Sequence, residues 1–266
     1  MTLMTILSCK ILQDEILHLL ENDISVDEII VVKGNEETEF LAKLDSLGLE
    51  YSNPEINDIP VISERDNNNK FSIMIYFMEL ALHEFPKKLK AGIYETIDRL
   101  TPHSSGILLF YGLCGNALSN VEKDFDDQEK SCPVRILKYG DRIVDDCIGA
   151  TLGSTDVYLK TLKQFSDKGT FFFTPMYAHS WRQIMRVDSE EAGQTIEMLK
   201  EMNKITGYKR VAKIKTGLPY TKAFDDIVDE FAEIFDFEIH EIEGHQKIFQ
   251  DCYKSMKERL AIHRTC

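Results

Sequence analysis

The sequence predicts an α/β protein of three layers with a mainly parallel sheet, arranged as two Rossmann-like lobes that meet at a cleft. Short apolar runs alternate with amphipathic segments of helical period along nearly the whole chain, which is the pattern of repeated β-α units. A length of 266 residues at 43% hydrophobic content allows one large core or two modest ones. No low-complexity tract or linker divides the chain, so residues 1–266 are read as one α/β unit, with lobe seams near 52–70 and 185–195.

The elements follow in order. "TILSC" is a first strand leading into the helix "KILQDEILHLLEND", where Ile11, Ile16, Leu19 and Leu20 share a face. "DEIIVVKG" is the next strand and "NEETEFLAKLDSLGLEY" the next helix, while residues 52–70, rich in Asn, Asp and Pro, form an exposed loop or insertion. The longest apolar run, "FSIMIYFMELAL" from Phe71 to Leu82, carries Glu79 and falls short of the roughly 20 residues a membrane span needs, so it is read as a buried helix. Another helix runs from Lys88 to Leu100. "GILLFYG" and "PVRILKYG" are strands, "DCIGATLGSTDVYLKTLKQF" is a helix, and "GTFFFTP" is a strand stopped by Pro175. "YKRVAKIKTG", "AFDDIVDEFAEIF", "DFEIHEIEG" and "HQKIFQDCYKSMKERL" complete the chain as strand, helix, strand, helix.

Charge and cysteine usage exclude several functions. Asp and Glu total 45 against 31 Lys and Arg, a net charge of -14 with no basic stripe, so a phosphate backbone is repelled and no nucleic-acid partner is expected. "ILSC" near the start resembles a lipoprotein cleavage site but lacks a basic leader and a long apolar stretch, and no membrane attachment is expected. The six cysteines show neither a C-x-x-C pair nor a small-scaffold framework, and they read as thiols in a cytoplasm.

Three of them occupy equivalent positions. Cys9, Cys114 and Cys147 each lie just beyond an apolar run and at or near the start of a helical segment. The carboxyl ends of parallel strands face one crevice, where ligands bind, so the three thiols are expected to converge there. Helix N-termini are expected to lower their pKa, and three thiolates suit Zn²⁺ or an iron–sulfur cluster with one open site. The plain alternative is that a free cysteine packs as a small hydrophobe. Cys132, Cys252 and Cys266 have no comparable setting.

In "FYGLCGNAL", glycines flank Cys114, as a thiol approached closely by backbone and ligand requires. "TPMYAHSW" places His179 and Trp181 beyond the "FFF" strand, and His179 is a candidate fourth ligand or proton carrier. Asp145 and Asp146 precede Cys147 as supporting carboxylates, with Asp146 the candidate acid or base. "GATLGS" lacks the lysine and order of a P-loop, which argues against nucleotide binding, and "KTGLPYTK" is a turn expected to border the same crevice.

The segments "ILSCKILQDEI", "FYGLCGNAL" and "DDCIGATLGSTDVYL" followed by "GTFFFTP" together resemble the family of domain of unknown function 1638, found mainly in methanogenic archaea and anaerobic bacteria. The likeness runs over roughly residues 5–185 and departs at "PMYAHSW", where the family usually has a Gly-Trp pair. Members tend to be encoded beside corrinoid proteins and methyltransferases. The resemblance therefore implies a metal site of Cys9, Cys114 and Cys147, a corrinoid protein or methyltransferase as partner, and corrinoid reached through that partner.

Three functional readings follow: a metal-thiolate protein of anaerobic one-carbon metabolism, acting as a zinc-thiolate methyltransferase component or its accessory; a non-catalytic carrier of metal or corrinoid; and a binding protein whose cysteines merely pack. A catalytic site should hold an acid or base beside the metal, and Asp145, Asp146 and His179 are the candidates.

Overall fold

A computed structural model describes residues 2–64, 70–80, 85–126, 132–187 and 192–262. Strands β1 (Thr2–Cys9), β2 (Glu28–Val31), β3 (Phe71–Met78), β4 (Gly106–Phe110) and β5 (Val134–Ile136) form a five-stranded sheet in the order β2-β3-β1-β4-β5, parallel throughout. A two-stranded antiparallel ribbon, β6 (Lys138–Tyr139) and β7 (Arg142–Ile143), follows it. Strands β8 (Gly169–Phe173), β9 (Tyr208–Lys215) and β10 (Glu238–Glu243) make a second parallel sheet in the order β10-β9-β8. Helices flank both sheets, giving a three-layer α/β architecture.

Period-two alternation builds the layers. Met4, Ile6, Ile73 and Ile75 face one side of the large sheet, covered by α1 (Gln13–Asn22) and α2 (Thr38–Leu47). The last helix, α10 (Lys247–Ile262), returns from the small sheet to this same layer, seating Ile248, Phe249, Met256 and Leu260 in its core. Leu3, Leu7, Met74 and Leu109 face the other side, under α3 (Pro86–Leu100) and α4 (Val121–Asp126). On the small sheet, Phe173 and Val211 pack under α7 (Pro175–Ile184) and α9 (Phe224–Phe235), while Ile214 meets Ile148 and Leu152 opposite.

Several elements differ from the sequence expectation. Phe71–Met78 is strand β3, not a buried helix, and Ala81 and Leu82 lie outside the described residues. A parallel strand covered on both faces is a continuous apolar run, which periodicity alone does not separate from a buried helix. The predicted helix from Asp146 onward is two, α5 (Cys147–Thr151) and α6 (Thr155–Gln164). Gly153 breaks them at φ +88°, and the Ser154 hydroxyl caps the second by accepting the Val157 N–H at 3.1 Å.

"PVRILKYG" divides between β5 and the ribbon. Helices α4, α7 and α8 (Ala192–Thr206) were not anticipated, although Thr174 accepting the Tyr177 N–H and Pro175 in the first turn open α7 in the usual way. The segment after Tyr51 is partly anchored, with Ile56 and Ile59 buried, whereas residues 65–69 and 188–191 of the expected seams lie outside the described residues. Among the described residues no helix is long and apolar enough to cross a membrane.

Candidate functional site

β1 ends at Cys9 and its neighbour β4 ends at Phe110, paired in parallel register with Ser8, so both chains leave the sheet at the same edge. The backbone after β4 then runs beside the segment leading into α5: Leu113 N–H donates to the Val144 carbonyl at 2.8 Å and Cys114 N–H to the Asp145 carbonyl at 2.9 Å. A Cβ at Gly112 would stand 2.6 Å from both the Val144 oxygen and the Asp146 nitrogen, so only glycine permits this approach. The glycine before Cys114 therefore lays its backbone against Asp145 and Asp146, which lead directly to Cys147. Beyond it, Cys114, Gly115 and Asn116 are all left-handed, at φ +46°, +69° and +64°. For cysteine that conformation costs about 1–2 kcal/mol, a strain of the kind stored at functional sites.

Cys9, Cys114 and Cys147 line one cavity of about 720 Å³, together with Tyr111 and with Phe172 and Tyr177 from the small-sheet side. The helix-terminus argument for acidic thiols fails here. Burial pushes the Cys9 thiol up to about 12, beyond the opposing effects of the Ile11 N–H and Lys10. Burial likewise lifts Cys114 to about 11. Cys147 rises well above its ordinary range through burial first, then through the Asp146 carboxyl and the neighbouring sulfurs of Cys9 and Cys114. A five-residue helix offers little dipole, and desolvation of a thiolate outweighs it. Burial thus favours the protonated form of all three thiols. Among the described residues, no three His, Cys, Asp or Glu side chains are grouped so as to hold a metal ion.

Tyr111 is the residue that sequence reasoning passed over. Burial raises its phenol well above the ordinary range, and the charges of Cys9, Cys114, Cys147 and Glu36 all add to the effect. It is a neutral hydroxyl lining the same cavity as the three cysteines, and its only signal in the sequence is its place at the end of the "GILLFY" run. Asp146 lines the cavity but is engaged twice, its Oδ1 accepting the Gly149 N–H at 2.7 Å and its Oδ2 the Tyr158 hydroxyl at 3.2 Å. Burial raises its pKa against those hydrogen bonds. Asp146 caps α5 and so positions Cys147. Asp145 also lines the cavity, and its Oδ2 is enclosed with no hydrogen-bond partner in the protein.

His179 is elsewhere. It sits on the exposed face of α7, with Nε2 3.1 Å from Glu39 Oε2, and it is not part of the cavity wall. α7 buries its other face through Trp181, which packs on Phe231. The "KTGLPYTK" turn reaches α1 rather than the thiols, Thr221 donating to Asp14 Oδ2 at 2.8 Å. Cys132 is buried in the large-sheet core, Cys252 accepts the Lys138 N–H at 3.3 Å, and Cys266 lies outside the described residues.

Fold and site together define a parallel α/β protein with a thiol-lined cavity at the carboxyl edge of its large sheet. The model of a protein of unknown function (DUF1638) matches residues 77–253, two thirds of the chain, and the chain belongs to that family. The matched span takes in Cys114 and Cys147, begins after Cys9, and extends past the "GTFFFTP" strand into α10. No curated protein and no solved structure matches the chain.

Proposed function

We propose that this is a metal-thiolate protein of anaerobic one-carbon metabolism, taking up one soft ion through Cys9, Cys114 and Cys147 and receiving a substrate in the rest of the cavity. One observation carries the reading: three cysteines from segments far apart in the sequence line the same cavity. The donor set suits zinc or an iron–sulfur cluster, and uptake would release the thiol protons, with the cation holding the sulfurs as thiolates. Uptake requires the thiols to turn toward one another from their present grouping. Zinc bound there would supply Lewis-acid activation of a substrate thiol toward a methyl donor. The chain's own contribution is Tyr111 as a neutral hydroxyl beside the sulfurs and Asp146 holding the start of α5.

A specific observation favours a second reading, a non-catalytic carrier of metal or corrinoid. His179 is outside the cavity and both oxygens of Asp146 are engaged, which among the described residues of the wall leaves Tyr111 and Asp145 as the other acid or base groups beside the thiols. In both readings the partner is a corrinoid protein or methyltransferase, a setting that rests on the family resemblance. Metal analysis of anaerobically purified and reconstituted protein tests the site. About one zinc, or one cluster, per chain is expected, with most of it lost in Cys114→Ser. No bound metal after reconstitution, or full retention in the variant, overturns the proposal.

A further inference from the structure

We infer that the cavity recognises a small organic cation, an alkylated ammonium or sulfonium head, and rejects anions. The inference rests on the reading of this cavity as a ligand site and adds the chemical class of its ligand. Among the described residues the wall carries two carboxylates, Asp145 and Asp146, and no lysine, arginine or histidine. Lys10, next in the chain to Cys9, is held by Glu36 at 3.0 Å and by Gln183, and it does not line the cavity. Negative charge in the wall is therefore uncompensated from within. The enclosed Asp145 Oδ2 accepts no hydrogen bond in the protein, and an alkylated onium in the cavity, with no N–H to donate, would be drawn to that carboxyl through space.

The rest of the wall selects which cation. Tyr111, Phe172 and Tyr177 supply the aromatic part of the wall, whereas Phe110 and Phe171 pack their rings into the neighbouring cores on Phe249 and on Phe231 and Phe237. A compact inorganic ion gains little from such rings and holds its water, whereas an alkylated onium sheds water readily and is attracted by the ring quadrupoles. The volume of about 720 Å³ accommodates an apolar body attached to such a head. A metal held by three thiolates leaves this preference intact, because a divalent ion with three negative sulfurs remains net negative.

The experiment uses three probes of one shape and different charge on the reduced full-length chain: choline, its uncharged carbon isostere neohexanol, and the anion tert-butylacetate. Calorimetric titration is expected to show choline binding at least about tenfold tighter than neohexanol, with no binding of the anion. Asp145→Asn, close in size and shape, should bring choline to within about threefold of neohexanol. Alkylation of Cys114 and Cys147, followed by mass spectrometry, places the probe independently of any variant, and choline should slow it while neohexanol does not. Equal affinities for choline and neohexanol, binding of tert-butylacetate, or choline binding that leaves both thiols unprotected overturns the inference. Metal content measured on the same samples separates the two readings: metal without choline preference sinks this inference alone, and choline preference without metal sinks the metal site alone.

Discussion

Two groups of titratable side chains are built on opposite plans. In one, Lys43 reaches Asp14 at 2.8 Å and Glu39 at 3.1 Å, Glu39 reaches His179 at 3.1 Å, and Thr221 donates to the second oxygen of Asp14. That knot ties α1, α2, α7 and the turn after β9, and each charge in it meets an opposite one. Burial pushes the Glu39 carboxyl up, but the His179 hydrogen bond and the Lys43 charge outweigh it and hold the group at about 2. In the other group, three thiols and two carboxylates line a cavity with no cation in its wall. The knot is complete as folded. The cavity wall instead gathers acidic groups with no basic side chain among them, and this difference is what the proposed ligand site rests on.

The strongest way to break the comparison is to remove the centre of the knot. Lys43→Met leaves Asp14, only 1% exposed, as a buried charge without its partner. Such a loss costs about 3–5 kcal/mol and should lower Tm on the order of 10 °C. Urea unfolding checks it, and a loss under about 1 kcal/mol would mean that the knot is no more than a surface ion pair.

Glu15 provides the next effect, through pH. It is 2% exposed, and burial, with Asp14 beside it, raises its carboxyl to about 8. Between its ordinary value of 4.5 and about 8 the folded chain keeps a proton that the unfolded chain has released. Stability from this group is fully present below the ordinary value and is lost as pH rises toward 8, a decline of order a few kcal/mol by linkage. The urea midpoint should therefore fall between pH 5.5 and pH 8 with an unchanged m-value, and Glu15→Gln should flatten the trend. An equally steep fall in the variant would assign the slope to other groups.

The elements with strong local signals were legible in the sequence. β1, β2, β4, β8 and β9 show as short apolar runs, β10 as an alternation of isoleucine with polar residues, and α1, α2, α3, α9 and α10 as periodic segments. For Cys9 and Cys114 the shared cavity follows from where adjacent parallel strands end, whereas Cys147 follows the antiparallel ribbon and is brought there by the backbone bonds of Leu113 and Cys114 to Val144 and Asp145. What did not follow depends on surroundings. β3 is uniformly apolar because helices cover both its faces, and period is lost when nothing alternates. α7 was hidden because "PMYAHSW" is short, and its facing was set by Trp181 seeking the Phe231 cluster, which turned His179 outward. The thiol pKa values reversed direction because desolvation depends on how completely three distant segments close over the sulfurs.

The smallest predicted effect is the most discriminating between ligand and packing roles for the thiols. Cys114 is held at φ +46°, where a Cβ costs about 1–2 kcal/mol. Cys114→Gly removes that strain and the thiol together, while glycine adds back about 0.5–1 kcal/mol of chain entropy, and the half-buried side chain forfeits a modest contact with the large-sheet core. These terms nearly cancel, so the variant should unfold within about 1 kcal/mol of the parent. Cys147→Gly has no strain to relieve in the first turn of α5, and helix propensity alone costs about 1 kcal/mol before lost burial is added. A penalty for Cys114→Gly above about 2 kcal/mol would make Cys114 a core residue, since that is what truncating a packed side chain costs. Near-neutral stability, with loss of metal and of the choline-protected thiol, would show instead that the left-handed turn is kept for the sulfur it presents to the cavity.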